Sequence, residues 1–81
     1  MKIVIIGPGA IGTLFGTFLS RAGHEVHMLD RDHGRALSLS AGEFIVETGS
    51  GDISRKIHVT ASPREIGPSE LILVCVKAYD T

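Results

Sequence analysis

Tryptophan is absent from the 81-residue sequence, cysteine occurs once, and aromatics amount to three Phe and one Tyr. With Cys75 alone an internal disulfide is excluded, and because the residue sits mid-run among aliphatics with nothing nearby to activate it, an inert buried thiol is expected rather than a nucleophile. No apolar stretch reaches the roughly 18–20 residues that span a bilayer; the longest, Leu71 to Val76, has the length of a buried strand. Charge is balanced, eight Lys and Arg against nine Asp and Glu, and a net charge of −1 removes the electrostatic case for a nucleic-acid or anionic-membrane partner. A secretory leader is not expected, since Gly7-Pro8-Gly9 interrupts the aliphatics after Met1-Lys2 and no small-residue cleavage site follows. A cytoplasmic location is expected. No repeat, linker or low-complexity tract divides the chain, so it has room for one domain, which at this size buries only about 60–65% of its unfolded surface.

What is present is 43% hydrophobic and 21% charged, ordinary for a soluble α/β protein, and it opens on a distinctive stretch. Ile3-Val4-Ile5-Ile6 is a continuous β-branched run, as in a strand buried on both faces of a parallel sheet, and it breaks into Gly7-Pro8-Gly9-Ala10-Ile11-Gly12. In the G-x-G-x-x-G spacing each glycine answers a separate steric demand, Gly7 for the tight turn, Gly9 for close approach of a pyrophosphate, Gly12 for close packing of the next helix on the sheet. That helix aims its free N–H groups and positive dipole end at the anion. A plain structural turn needs only one or two of these glycines, and it is the bland alternative. Ala10, Ile11, Leu14, Phe15, Phe18 and Leu19 recur at helical spacing, with Gly12 and Gly16 one turn apart on a flank where backbone can touch backbone.

Further along, the helix is expected from about Ala10 to Ala22, ending at Gly23 with Arg21 in its last turn. Val26 to Leu29 reads as a second strand ending at Asp30, which completes a right-handed β-α-β unit. A short second helix is expected between Arg31 and Ala41, stopped by Gly42. Glu43 to Thr48 and Ile53 to Val59 read as two strands of a hairpin about a turn at Gly49-Ser50-Gly51-Asp52. Ser62 to Pro68 holds a helical turn with Ser62 as N-cap and Pro63 first in the helix. Glu70 to Lys77 is read as another doubly buried strand. The fold class is therefore α/β, a Rossmann-like doubly wound, mostly parallel sheet with an inserted hairpin. The first strand lies at its centre, flanked by the second strand and the Leu71 strand. Nothing after Thr81 covers that last strand, which points to a partial domain of a larger enzyme or to self-association through the uncovered edge.

In dinucleotide folds the end of the second strand meets the adenosine ribose, where an acid takes the 2′-hydroxyl of NAD or an arginine the 2′-phosphate of NADP. Here it reads Asp30-Arg31, 18 residues after Gly12 and near the usual offset of about 20. A guanidinium favours NADP and a carboxylate opposes it, so NAD stays open because of Asp30. Asp32 could instead pair with Arg31 as a solvated ion pair. Lys77, at the carboxyl end of the last strand, stands where open α/β sheets bind ligands; its bland reading is a lysine reaching solvent. His24, His27, His33 and His58 show no metal-ligand spacing, and no metal is expected.

The run from Met1-Lys2-Ile3 through Gly12, then Gly23-His24-Glu25-Val26, Arg31 and above all Val76-Lys77-Ala78-Tyr79-Asp80-Thr81, resembles the N-terminal domain of the ketopantoate reductase (2-dehydropantoate 2-reductase) family. The resemblance covers all 81 residues and about the first quarter of the family's usual length. It implies an NADPH-dependent oxidoreductase reducing ketopantoate to pantoate in pantothenate biosynthesis, with Gly7, Pro8, Gly9, Ala10, Ile11 and Gly12 on the pyrophosphate, Arg31 on the 2′-phosphate and Lys77 beside the nicotinamide end. Asp30 departs from an NADP pattern. The family's lysine general acid, substrate residues and helical second domain would lie beyond Thr81, so no catalytic residue is expected here and the 2-keto acid would be met only with that domain. A second class remains, an NAD-binding regulatory module of the potassium-transport type, which shares the Met-Lys-Ile opening, the glycine turn and an acid after the second strand. A third is a folded remnant without a ligand.

Overall fold

The computed structural model describes residues 1–7 and 9–75. Four parallel strands form the main sheet in the order β5 (His58–Thr60), β2 (Glu25–Leu29), β1 (Lys2–Ile6), β6 (Leu71–Val74). β1 pairs with β2 from Lys2↔Glu25 to Ile6↔Leu29 and with β6 from Ile3↔Leu71 to Ile6↔Val74, so the central strand and its two flanks stand as the sequence predicts. Helix α1 (Ala10–Arg21) makes the first crossover and α2 (His33–Ala41) follows β2. A separate antiparallel ribbon is formed by β3 (Phe44–Thr48) and β4 (Gly51–Arg55), and α3 (Pro63–Ile66) is a single turn before β6.

α1 ends where its sequence says. Gly23 has φ +98°, its N–H donates to the Ser20 carbonyl at 3.1 Å, and the His24 N–H donates to the Leu19 carbonyl at 3.2 Å. This is the paired closure of a Schellman motif, which the left-handed glycine makes possible.

The face that α1 turns inward differs from the apolar periodicity. Gly12, Gly16 and Thr17 are buried, while Ile11, Leu14, Phe15 and Phe18 are 40–60% exposed. Volume decides this. A Cβ on Gly16 would lie 2.3 Å from the Met28 Cε and 3.3 Å from the Ile5 Cδ1, and a Cβ on Gly12 would lie 2.4 Å from the Gly7 carbonyl oxygen. The helix sits on β1 and β2 at a distance only its small residues allow, and the large ones face away. Thr17 is accommodated because its hydroxyl donates to the Thr13 carbonyl at 2.8 Å.

The core lies between the sheet and the layer of α1, α2 and the ribbon: Ile3, Ile5, Val26, Met28, Ala36, Phe44, Ile57 and Val59. Arg55 ties the ribbon to the end of α1 through the Ser20 hydroxyl at 3.2 Å. The single returning strand expected over Ile53 to Val59 is instead two. β4 stays in the ribbon, the chain changes sheets at Lys56-Ile57, and β5 joins β2 in parallel, with Ile57 buried at the corner. Ser62 precedes α3 without a side-chain cap; its N–H donates to the Thr60 hydroxyl.

The opposite face of the sheet carries α3 alone among the described residues, over an apolar hollow of about 210 Å³ lined by Val4, Ile6, Leu29, Ile66 and Ile72. β6 is accordingly not doubly buried: Leu71, Ile72 and Val74 are 41%, 57% and 66% exposed, and only Leu73 and Cys75 pack against the core.

The two glycine contacts differ in what can yield. Gly16→Ala displaces a flexible Met28 methyl, whereas Gly12→Ala strikes backbone. Chemical denaturation should show Gly12→Ala losing about 3 kcal/mol or failing to fold, with Gly16→Ala costing about 1–2 kcal/mol.

Candidate functional site

The β1–α1 turn and the end of β2 lie side by side at the carboxyl edge of the sheet, joined by a hydrogen bond from the Gly7 N–H to the Leu29 carbonyl at 3.1 Å. Gly7 has φ +89°, which a side chain would resist. Gly9 caps α1 through backbone alone: its carbonyl takes the Thr13 N–H at 2.8 Å, no side chain closes the helix end, and no acid occupies the first turn. Among the described residues, chain neighbours aside, nothing lies within 4 Å of where a Cβ on Gly9 would stand. First-turn amides that a helix cannot satisfy internally thus border open space, a fit for the oxygens of a pyrophosphate. Ala10 and Ile11 are exposed on that turn. Pro8 lies outside the described residues, as does Lys77 with the rest of the closing segment.

At the end of β2, Asp30 is 2% exposed and accepts three hydrogen bonds. Its Oδ2 accepts from the Arg35 Nε at 2.5 Å, and its Oδ1 accepts from the Arg35 Nη2 at 2.8 Å and from the Asp32 N–H at 3.0 Å. Asp32 caps α2, its Oδ1 accepting from the Arg35 N–H at 2.9 Å, and it does not pair with Arg31. Arg31 is exposed and makes no hydrogen bond or ion pair among the described residues. The Arg35 hydrogen bond, foremost, holds the Asp30 carboxyl below its ordinary range against the opposing effect of burial, helped by the Asp32 N–H and the charges of Arg35 and Arg31.

Arg35 does not stand out by its sequence position, five residues from Asp30, a spacing that belongs to no helix face. The informative signal is Asp30-x-Asp32-x-x-Arg35, in which a capping aspartate fixes where the arginine starts. A second constellation emerges only from strand pairing. His27 and His58 are register partners on β2 and β5, with their Nδ1 atoms 2.9 Å apart, and the His27 Nε2 lies 2.6 Å from the Glu25 carboxylate. If the His27 Nε2–H donates to Glu25, the neutral His27 Nδ1 accepts from His58. No group of three or more metal-ligating side chains forms among the described residues.

The sign of the Asp30 contribution is set by its depressed folded-state value. Its stabilisation is present above the ordinary aspartate range, about 4, and is lost as pH falls through the folded value. Thermal melts should therefore show wild type exceeding Asp30→Asn by roughly 5 °C near neutrality, with the gap closing below about pH 4.

Residues 3–81 match the family model described as Ketopantoate reductase PanE/ApbA. The chain is 40% identical over 81 residues to the 2-dehydropantoate 2-reductase of Pyrococcus abyssi, covering 100% of this chain and 26% of that protein. It is 38% identical over 81 residues to the enzyme of the same name from Caulobacter vibrioides, covering 99% of this chain and 26% of that protein. A shorter match, 52% identical over 47 residues, covers 54% of this chain and 11% of a D-amino acid dehydrogenase from Rhizorhabdus wittichii. In structure, the chain superposes with a TM-score of 0.80 on a protein from Enterococcus faecalis assigned as a 2-dehydropantoate 2-reductase, at 22% identity and over 99% of this chain and 26% of that one. The chain spans about a quarter of the length of these reductases. Its α/β fold, its glycine turn and the match over residues 3–81 together make it a member of the ketopantoate reductase family, to which its N-terminal, Rossmann-like part corresponds.

Proposed function

We propose that this chain is the NADP(H)-binding N-terminal domain of a 2-dehydropantoate 2-reductase, an oxidoreductase that reduces ketopantoate to pantoate in pantothenate biosynthesis in the cytoplasm. The observation that carries the reading is the exposed, unpaired Arg31 beside a buried Asp30 already committed to Arg35, one strand away from an open glycine turn. A cofactor of this class supplies a hydride from its nicotinamide ring when bound. The turn Gly7-Pro8-Gly9-Ala10-Ile11-Gly12 would hold the pyrophosphate through the free first-turn N–H groups of α1, while the Gly7 N–H itself stays on the Leu29 carbonyl. The Arg31 guanidinium offers a planar fork to the 2′-phosphate. Lys77 is assigned to the nicotinamide end on its place in the sequence. Reduction also needs a proton donor for the forming alkoxide and a cleft that excludes water. We assign both to the part of such reductases that this chain does not span, so the chain alone binds without turning over substrate.

The regulatory reading, an NAD-binding module of the potassium-transport type, depends on Asp30 as a free ribose acceptor. That carboxylate is occupied by Arg35, and the family match lies with the reductases. No helix among the described residues is long and apolar enough to cross a membrane.

Calorimetric titration tests the cofactor assignment. NADPH should bind more tightly than NADH or ADP-ribose, and Arg31→Ala should weaken NADPH by roughly tenfold to a hundredfold while leaving NADH unchanged. Gly9→Ala should weaken both nucleotides and cost no more than about 1 kcal/mol of stability, because its Cβ meets only the space meant for phosphate. If NADH binds as tightly as NADPH and Arg31→Ala alters neither, the assignment is wrong. We further propose self-association through the exposed β6 strand. Sedimentation at micromolar concentration should detect it, and a folded, strictly monomeric chain would overturn it.

A further inference from the structure

Asp30 stands where a dinucleotide fold offers a carboxylate to the ribose 2′-hydroxyl, yet it is buried and most of its capacity is taken. Oδ1 takes two donors, Oδ2 takes one, and the side chain is 2% exposed. What holds it is a three-residue interlock. The Asp32 carboxylate accepts the Arg35 N–H at 2.9 Å and sets Arg35 in the first turn of α2, from which its guanidinium reaches back to Asp30 with two bonds. The Arg35 side chain remains 60% exposed on its outer side. Counting formal charges, Asp30, Arg31, Asp32 and Arg35 sum to zero; without Arg35 the sum is −1.

From this geometry we propose that Arg35 is a positioning residue for cofactor selection. It withholds the Asp30 carboxylate from a ribose 2′-hydroxyl and cancels its charge, and so turns an NAD-type strand end into one that accepts a 2′-phosphate at Arg31. The proposal rests on the reading of this strand end as the adenosine-ribose site. Two carboxylates and one guanidinium would repel a phosphate dianion, and a freed carboxylate would hydrogen-bond a hydroxyl; with Arg35 in place both tendencies reverse.

The test is a mutant cycle read by calorimetric binding of NADPH and NADH to the chain, with thermal melts as a control for folding. Arg35→Ala should weaken NADPH about tenfold or more and leave NADH unchanged or tighter. The double variant Asp30→Asn/Arg35→Ala releases no carboxylate, so NADPH affinity should return to within a few-fold of wild type and any gain in NADH should vanish. A merely structural Arg35 would weaken both nucleotides alike in Arg35→Ala and show no rescue in the double variant, and either result overturns the proposal. Should Arg35→Ala fail to fold, Arg35→Lys and Asp30→Asn carry the test. Arg35→Lys keeps the charge but loses the bidentate hold and should lower the NADPH preference part of the way, Asp30→Asn should preserve it, and the opposite ranking overturns the proposal. If wild type binds neither nucleotide, or Arg31→Ala leaves the preference intact, the cofactor reading itself falls and this proposal with it. If Arg31→Ala abolishes the preference while Arg35→Ala does not, only the role of Arg35 falls.

Discussion

The close approach of α1 to the sheet is the constraint from which most of the structure follows. Where a Cβ on Gly12 would collide with the Gly7 carbonyl, the helix and the turn that feeds it are in backbone contact. One turn later Gly16 repeats the approach over Ile5 and Met28. The helix is thereby held flat across β1 and β2, the crossover between them is short, and the first-turn amides of α1 open at the sheet edge beside the end of β2.

The sheet is asymmetric in consequence. One face is sealed by α1, α2 and the β3–β4 ribbon around Ile3, Ile5, Val26 and Met28. The other combines an apolar hollow near β6 with a polar row nearer β5, running from Lys2 and Glu25 through His27 to His58 and Glu65. Glu25 is held below its usual carboxylate range chiefly by its hydrogen bond to His27, with Lys2 assisting. The two strand ends differ in the same way: at β1 the chain offers backbone groups, and at β2 it offers charged side chains, where α2 starts and a capping aspartate places an arginine.

Much of this is legible in the sequence because it is written in local signals. The β-branched run of β1, the glycine turn, the Gly23 helix stop and the β2-β1-β6 neighbourhood of the central strand all follow from periodicity, turn chemistry and the crossover rule. The outward face of α1 is not, because Ile11, Leu14, Phe15 and Phe18 form the better apolar stripe and only the available volume reveals that Gly12, Gly16 and Thr17 fit against the sheet. Nor is the break at Lys56-Ile57, since alternation continues through it while the pairing partner changes. At the candidate site, Asp30 and Arg31 stand out as an ambiguous pair. Its resolution requires knowing that Arg35, set in the first turn of α2 by Asp32, reaches back to the buried Asp30 carboxylate, a contact that the spacing of the two residues alone does not show.

The partnership of β1 with β6 bears on the order in which the chain acquires its structure. β1, α1 and β2 are consecutive, whereas the Lys2 N–H meets the Glu70 carboxylate, and β6 meets β1, across 68 positions of chain. Closing so large a loop is entropically costly until the intervening segments are themselves compact, although the cost grows only logarithmically with length. The β-α-β unit can therefore nucleate by itself, with β6 arriving as the last strand once the ribbon and β5 have shortened the distance. The side chain of Lys2, which donates to the Ile66 carbonyl just before that strand, then acts as a latch at the closing end of the sheet.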